Sequence, residues 1–215
     1  MSIFVTGTDT GVGKTYTIVQ LLRLLRQSGQ SCAGFKPICC GDRRDAELLL
    51  TQSDAGLRID EINPIWLKTP AAPMVASEIE KAAINVPQLI AAFRALQQRV
   101  KHVVVEGVGG WFVPIRADYL MSDLAMEMRL PVVIVAQNRL GCLNQTLLTE
   151  KAVEACGLSC VGVVLNALAE AEDIATRTNR AALQKVIQVP LLTGLTEKMV
   201  GLPDDWCSLM GQSRQ

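Results

Sequence analysis

A glycine-rich segment, Gly7-Thr8-Asp9-Thr10-Gly11-Val12-Gly13-Lys14-Thr15, carries the residue types that bind phosphate groups. It follows the apolar run Ile3-Phe4-Val5 and precedes a stretch whose apolar residues have helical spacing. Glycines let the backbone curl so that successive N–H groups point at an anion, and a helix start adds unpaired N–H groups. In this layout Lys14 reaches the β- and γ-phosphates, and the Thr15 hydroxyl can ligate Mg²⁺. We therefore predict a nucleotide-binding loop over residues 7–15.

The glycine spacing of this loop departs from the usual pattern. That pattern, G-x-x-x-x-G-K-[ST], would place its first glycine at Thr8, whereas Gly7 lies one position earlier. The alternative is an ordinary glycine-rich turn between a strand and a helix that binds nothing. The preceding strand, the following helix and the Lys14-Thr15 pair favour phosphate binding.

Two carboxylates, Asp45 and Glu106, could hold a magnesium ion beside this loop. Glu106 follows the apolar run Val103-Val104-Val105 and precedes Gly-Val-Gly-Gly, so it would be costly to bury without a partner. Those glycines indicate a sharp turn or a close approach of the backbone to another group. Mg²⁺ takes few protein ligands, and we predict Thr15, Asp45 and Glu106 for this role. For Asp45 the alternative is a cap of the helix that follows it.

Lys36 ends the apolar segment 32–35 and would add a second cation. The carboxyl ends of strands are where ligands bind in α/β sheets. Two lysines and Mg²⁺ exceed what nucleotide binding usually needs, and a second anion that develops during a reaction would explain the surplus. This favours phosphoryl transfer to a bound substrate over a nucleotide switch. The alternative for Lys36 is a solvated strand end.

Strands alternate with helical segments throughout the chain, which predicts an α/β fold: a P-loop NTPase-type parallel sheet with helices on both faces. We expect a single ATP-binding domain over residues 1–215. Lys14, Lys36, Glu106 and Asn166 all lie at the carboxyl ends of predicted strands or just beyond them, and hence along one edge of the sheet. Residues 62–67 are predicted as an edge strand because proline is tolerated there. The tail from Pro203 onward is weakly patterned.

The composition excludes several classes of function. Lys plus Arg and Asp plus Glu each number 21, so the formal net charge is zero, and we expect no nucleic-acid or membrane partner. We find no signal peptide and no apolar run long enough to span a membrane. Seven cysteines without a Cys-x-x-Cys pattern indicate neither a disulfide framework nor a zinc site, and we expect a cytoplasmic protein. His102, the single histidine, is interpreted as structural.

Several segments resemble the motifs of the dethiobiotin synthetase family. The loop is similar to that family's Gly-Thr-Asp-Thr-x-Val-Gly-Lys-Thr. The other matching segments are Gly34-Phe35-Lys36-Pro37, Asp45-Ala46, Val105-Glu106-Gly107-Val108-Gly109-Gly110-Trp111, Leu140-Gly141-Cys142-Leu143-Asn144 and Val164-Leu165-Asn166. Their order and spacing hold from residue 3 to about 166, and the combination is specific although the loop alone is not.

The resemblance implies a ligase of biotin biosynthesis that uses ATP and Mg²⁺ and acts on 7,8-diaminononanoate and CO₂. One amine takes up CO₂ as a carbamate, which accepts the γ-phosphoryl group of ATP to form a mixed anhydride. The second amine then closes the cyclic urea and expels phosphate. The nucleophile belongs to the substrate, so no Ser, Cys or His nucleophile is required.

The resemblance also assigns roles to individual residues. Lys36, Lys14 and Thr10 are expected to be catalytic, and Asn166 to contact adenine. The residues expected to bind the nucleotide are Gly11, Val12, Gly13, Lys14, Thr15, Tyr16, Glu106, Gly107, Val108, Gly109 and Asn166. Those expected to bind the substrate are Thr10, Lys36, Cys40, Gly141, Cys142, Leu143 and Asn144. The family is homodimeric, and the helix start at 141–144 of the partner is expected to hold the substrate carboxylate.

This sequence departs from the family pattern in three places. Cys40 stands where the family often has Ser or Thr, which weakens a hydrogen bond to the substrate. Ala72-Pro73-Met74 stands in place of a Ser-Pro-His segment. The family's Gly-x-x-Pro-x-Leu segment near the adenine is not clear in residues 193–197, and residues 167–215 carry little of the match.

Two other functions stay open at this point. One is a related amidating or carboxylating ligase, such as a cobyrinate amidotransferase-like domain, but those usually carry a glutaminase domain with a catalytic Cys and His. The other is a partitioning-type ATPase switch, whose loop has a Lys at the position of Asp9 and whose DNA binding would need a basic face. Here position 9 is Asp and the formal net charge of zero does not indicate a basic face, and His102 is the single histidine.

Overall fold

A parallel sheet of six strands lies at the centre of the molecule. The computed structural model describes residues 1–54, 56–167 and 173–211. The strands of these residues are β1 (Ile3–Gly7), β2 (Cys32–Phe35), β3 (Ile38–Cys40), β4 (Ile65–Leu67), β5 (His102–Gly110), β6 (Pro114–Arg116), β7 (Tyr119–Leu120), β8 (Val132–Gln137), β9 (Cys160–Asn166) and β10 (Leu191–Leu192). The central sheet has the order β10-β9-β8-β1-β5-β2, and its neighbouring strands are all parallel.

Helices connect these strands. In chain order they are α1 (Lys14–Gln27), α2 (Arg44–Gln52), α3 (Ile59–Ile62), α4 (Pro73–Glu80), α5 (Val86–Arg99), α6 (Met121–Met128), α7 (Cys142–Ala155), α8 (Ile174–Val186) and α9 (Asp204–Leu209). None of the helices in the described ranges is long and apolar enough to cross a membrane.

The burial of β1 explains why helices must cover both faces of the sheet. Successive side chains of a strand point to opposite faces, and Ile3, Phe4 and Val5 are all completely buried. Only a sheet covered on both sides buries every residue of such a run. The predicted α/β fold is confirmed. That residues 1–215 form a single domain stays a prediction.

The glycines after Glu106 do not make a sharp turn, because β5 continues through Gly110. The other alternative, a close approach, is what the backbone requires at Gly109. Its φ is +62°, and a Cβ there would lie 2.8 Å from Val113 Cγ2 and 3.3 Å from Thr10 Oγ1. The strand thus brings Gly109 and Gly110 against the glycine-rich loop.

The edge strand predicted over residues 62–67 is confirmed only for Ile65–Leu67, which form β4 in a sheet separate from the central one. Ile62 ends α3, and β4 pairs in parallel with β3 in a separate sheet of two strands. The amide of Asn63 fixes this arrangement, because its Nδ2 donates to the carbonyl oxygens of Lys36, at 2.8 Å, and Ile65, at 2.9 Å. The small sheet therefore lies directly beyond the end of β2.

The chain after β10 contains one element that the sequence pattern did not indicate. Helix α9 buries Trp206 completely, and the indole Nε1 donates to the carbonyl oxygen of Thr193 at 2.8 Å. This contact packs the tail against the outer edge of the sheet. His102 lies at the amino end of β5, where its Nδ1 contacts the main-chain oxygen of Met1 at 3.0 Å, which fits a structural role.

Candidate active site

The glycine-rich loop connects β1 to α1 at the carboxyl edge of the sheet. Gly11 and Gly13 have φ angles of +73° and +91°, a backbone region that residues with a Cβ rarely adopt. Gly13 immediately precedes α1, whose first residues are Lys14 and Thr15. The predicted arrangement of strand, loop and helix is confirmed, and it gives the anion-binding geometry of a helix N-terminus.

Lys14 crosses the loop and is held by the loop itself. Its Nζ donates to the carbonyl oxygen of Asp9 at 3.0 Å. The side chain passes over Gly7, where a Cβ would lie 2.9 Å from Lys14 Nζ and 2.6 Å from the Asp9 oxygen. A glycine is therefore required at position 7, which explains why the glycine of this loop lies one residue earlier than in the usual pattern.

Two of the predicted residues, Thr15 and Lys36, meet at one oxygen of Glu106. The Thr15 hydroxyl donates to Glu106 Oε1 at 2.8 Å, and Lys36 Nζ donates to the same oxygen at 2.6 Å. Lys36 Nζ also donates to Asp45 Oδ2 at 3.0 Å. The side chains of Lys36 and Glu106 are only 6% and 1% exposed, whereas that of Asp45 is 46% exposed. Lys36 is therefore not a solvated strand end.

Asp45 is not the cap of α2, and that alternative is wrong. The residue that precedes the helix is Arg43, and Asp45 lies within the first turn. Its carboxylate points to Lys36 instead of the free N–H groups of its own helix. The helix start thus serves to bring a carboxylate to the edge of the cleft.

The pKa values of Lys14 and Lys36 are shifted in opposite directions. Burial lowers the pKa of Lys14 to about 8, and the Lys36 ammonium acts in the same direction. Burial also opposes the charge of Lys36, but the carboxylates of Glu106 and Asp45 outweigh it, so the pKa of Lys36 is raised. Burial favours the neutral form of Asp45, yet the Lys36 ammonium holds the pKa of Asp45 below its ordinary value.

The second oxygen of Glu106 fits a ligand for a cation. Oε2 is buried and has no hydrogen-bond partner among the described residues, and such oxygens are rare in folded proteins. The ranges that the structure describes hold no cluster of three or more His, Cys, Asp or Glu side chains suited to a metal. Thr15, Glu106 and Asp45 instead provide one hydroxyl and two carboxylates, and Mg²⁺ completes such a set with phosphate and water.

These groups line a cleft of about 690 Å³. Thr10, Gly11, Gly13, Val108 and Gly109 line one part of it, and Cys39, Cys40 and Ala72 line another. Burial raises the pKa values of the Cys39 and Cys40 thiols to about 11, so both are neutral at physiological pH. Strand β3 and the residues before α4 provide this second part.

Asn166 lies at the end of β9 and supports the loop from behind. Its Nδ2 donates to the carbonyl oxygens of Val12 and Gly13, at 3.1 and 3.2 Å, and to Thr17 Oγ1 at 3.2 Å. Neither Asn166 nor Val12 lines the cleft, and Val12 is a core residue. Two other residues predicted to bind nucleotide lie elsewhere: Tyr16 is exposed on α1, and Gly107 packs against Phe4.

The segment Gly141–Asn144 does not line the cleft of its own chain. Gly141, with a φ of +92°, precedes α7, and the next three residues form the first turn of that helix. The side chain of Asn179 holds the preceding turn, because its Nδ2 donates to Asn138 Oδ1 at 2.9 Å and to the carbonyl oxygen of Arg139 at 3.1 Å. This support had no signal in the sequence, since the two segments are far apart along the chain.

The structure also adds residues to the site that motif reasoning missed. Ile38, Asp42 and Val113 line the cleft, and Asn63 fixes the main chain of Lys36. Pro73, in the segment that departs from the family pattern, begins α4. Short strands and loop residues of this kind carry little periodicity from which they could be predicted.

Comparisons with known proteins identify the family of this chain. Residues 1–198 match a family described as AAA domain. The ATP-dependent dethiobiotin synthetase of Akkermansia muciniphila is 42% identical over 191 residues, which are 89% of this chain and 90% of the relative. The enzyme of the same name from Bacillus subtilis strain 168 is 34% identical over 204 residues, or 93% of this chain and 88% of the relative.

Solved structures share the fold at low sequence identity. The septum site-determining protein MinD of Pyrococcus horikoshii, complexed with Mg-ADP, has a TM-score of 0.57 and 17% identity, with 89% of this chain and 79% of that chain covered. This likeness concerns the fold alone. The identity and coverage of the sequence relatives establish more: this chain belongs to the dethiobiotin synthetase family.

Proposed function

We propose that this chain carries out the ATP-dependent carboxylation and ring closure of 7,8-diaminononanoate to dethiobiotin. The observation that carries the proposal is the convergence of Lys14, Lys36, Asp45 and Glu106 on one cleft beside the glycine-rich loop. The names of the sequence relatives support the same reaction.

The proposed reaction balances without a nucleophile from the protein. One amine of the substrate attacks CO₂ and loses a proton, which gives a carbamate. A carbamate oxygen then bonds to the γ-phosphorus of ATP, the bond to the bridging oxygen breaks, and ADP leaves. The second amine attacks the carbonyl carbon of this mixed anhydride and loses a proton to the solvent, and phosphate departs with the closure of the urea ring. The two amines belong to one molecule, so the ring closure is intramolecular and needs mainly orientation.

The residues of the cleft suit these steps. Lys14, fixed across the loop, would bind the β- and γ-phosphates, and the N–H groups at the start of α1 would add to this. Lys36 would stabilise the charge that spreads over the transferring phosphoryl group and the carbamate. Thr10, which lines the cleft beside Gly109, could donate to the carbamate. Cys40, a neutral thiol, would be a weaker hydrogen-bond donor to the substrate than a hydroxyl.

Magnesium is the cofactor that the carboxylates fit, with Thr15, Asp45 and Glu106 as its protein ligands. Such an ion would neutralise charge on the phosphates during transfer. Asn166 would act on the nucleotide in two ways, by holding the loop through Nδ2 and by offering its remaining oxygen to the base. Gly107, which lies next to Glu106, and Tyr16, which lies next to Thr15, would support nucleotide binding through these neighbours.

We further propose a homodimer in which the α7 start of one chain, residues 141–144, reaches the substrate carboxylate in its partner's cleft. This is supported by the position of the segment outside its own cleft and by the exposed side chain of Leu140 beside it. A reducing compartment such as the cytoplasm would suit the seven cysteines, all of which are free.

The decisive experiment is incubation of the protein with 7,8-diaminononanoate, ¹³C-bicarbonate and MgATP. We expect dethiobiotin that carries the label, together with ADP and phosphate in equal amounts. Lys14→Ala serves as the matched control for traces of contaminating enzyme. ATP hydrolysis without labelled dethiobiotin would contradict the proposal.

A further inference from the structure

The Lys36 ammonium lies between the two carboxylates that are proposed to hold the metal. It is 2.6 Å from Glu106 Oε1 and 3.0 Å from Asp45 Oδ2. The Thr15 hydroxyl donates to the same Oε1 at 2.8 Å. Every protein group assigned to Mg²⁺ is therefore engaged, directly or through a shared oxygen, with one buried cation from the chain itself.

This arrangement weakens the attraction of the site for a free metal ion. Two carboxylates and one ammonium carry a net charge of one negative unit instead of two. A divalent ion that approached the same oxygens would also be repelled by the ammonium, and such repulsion is strong where the dielectric constant is low. The pair of carboxylates would conversely be costly to bury without the lysine.

Lys36 can leave this position only by turning its side chain. Its main chain is fixed on both sides, because its N–H donates to the Ile62 carbonyl oxygen at 2.8 Å and its carbonyl accepts from Asn63 Nδ2 at 2.8 Å. Lys14 does not take part in the ion pairs with Asp45 and Glu106, because its Nζ donates a hydrogen bond to the Asp9 carbonyl oxygen. The two lysines of the cleft thus have separate tasks.

We propose that Lys36 neutralises the metal-binding carboxylates until the metal arrives together with the nucleotide. The ammonium then exchanges its carboxylate partners for the oxygens of the γ-phosphoryl group and the carbamate. The enzyme consequently binds free Mg²⁺ only weakly, and Lys36 becomes available to the reacting groups only when MgATP is in place. The inference rests on the proposed function for its metal ligands.

The test measures Mn²⁺ binding without nucleotide, by the electron paramagnetic resonance signal of free Mn²⁺. We expect weak binding to the wild type and binding at least ~10-fold tighter to Lys36→Met, which removes the charge but keeps much of the side-chain volume. Lys36→Arg keeps the charge and should stay near the wild type. Lys14→Met is the matched control, because it removes a cation of the same cleft that does not contact the carboxylates, and we expect a smaller change.

If Lys36→Met folds poorly, a second variant and a second measurement test the same inference. Lys36→Gln has an amide that can still donate to the carboxylates, and it should show the same gain. In both neutral variants Mn²⁺ should raise the unfolding temperature more than in the wild type. The gain should disappear when Glu106→Gln is added.

Two results would overturn the inference: unchanged Mn²⁺ affinity in both neutral variants, or an equal gain in Lys14→Met. These outcomes are separate from the test of the reaction. A wild type that makes dethiobiotin, combined with neutral variants that show no gain, would remove this inference and leave the proposed function. Tighter Mn²⁺ binding by the neutral variants, combined with a wild type that makes no dethiobiotin, would support this inference and contradict the proposed function.

Discussion

The Lys14 ammonium donates to the carbonyl oxygen of Asp9 at 3.0 Å, within the same loop. The loop is therefore closed around its own lysine, and a ligand phosphate would meet a cation that is already in position. Preorganisation of this kind lowers the cost of binding, because little side-chain freedom remains to be lost.

Replacement of Lys14 by Ala should abolish turnover and weaken ATP binding strongly. Two charge-assisted contacts to phosphate oxygens would be lost, each worth ~1.5–3 kcal/mol. Calorimetric titration with ATP measures the change in Kd, and a product assay measures turnover. A kcat near that of the wild type would end the assignment of this loop to phosphate binding.

ATP affinity should fall as the pH rises through about 8, the pKa of Lys14 in the free protein. The protonated lysine binds phosphate and the neutral one does not. Affinity is therefore full below this pKa, and above it the loss should approach about tenfold per pH unit. Calorimetry over a pH series measures the slope. Lys14→Arg is the control, because its guanidinium stays charged throughout and the decline should vanish.

Glu106→Gln and Asp45→Asn should each raise the Mg²⁺ concentration needed for half-maximal rate. Both changes keep the side-chain volume and remove one charge. The effect should be larger for Glu106, since its side chain is 1% exposed and that of Asp45 is 46% exposed. Mg²⁺ titrations of the rate measure both.

Asp42→Asn is the matched control for these two variants. Asp42 lines the same cleft, but its Oδ1 accepts from the N–H of Arg44. Its titration curve should coincide with that of the wild type. If the curves of Glu106→Gln and Asp45→Asn did so as well, the metal ligands proposed here would be wrong.

Lys36→Ala should lower kcat by ~10²-fold or more, by analogy with the loss of one preorganised donor to a developing charge. Its contribution is expected to be larger in the transition state than in the ATP complex, so ATP affinity should fall far less than in Lys14→Ala. Single-turnover formation of dethiobiotin and the ATP Kd are measured together. Equal losses in rate and binding would make Lys36 a nucleotide ligand only.

The parts of the site that follow regular elements could be predicted from the sequence. The run Val103–Val105 predicts a buried strand that carries Glu106, and Lys36 directly follows another such strand. The prediction that Glu106 ends its strand is wrong, because β5 continues through Gly110. Parallel strands then bring both residues to one edge. What this reasoning could not give is the ion pair between them, because it depends on the order of β2 and β5 in the sheet.

The parts that follow irregular segments could not be predicted. Asn63 precedes a proline and resembles a turn residue, yet it is completely buried and holds Lys36 in place. Asp45 had two equal interpretations, because a helix cap and a ligand differ by only a few positions near a helix start. The helix α9 is short and has one buried side chain, Trp206, which leaves no periodic pattern.

The neutral thiol of Cys40 has a consequence for inhibitor chemistry. A cysteine in such a cleft is a common target for acrylamides and other electrophilic inhibitors, but only its thiolate form attacks them. With a pKa of about 11, Cys40 would be a thiolate in only about one molecule in ten thousand at neutral pH. Covalent drugs aimed at this residue would therefore react slowly, and compounds that imitate the phosphates or the carbamate have the better prospect in this cleft.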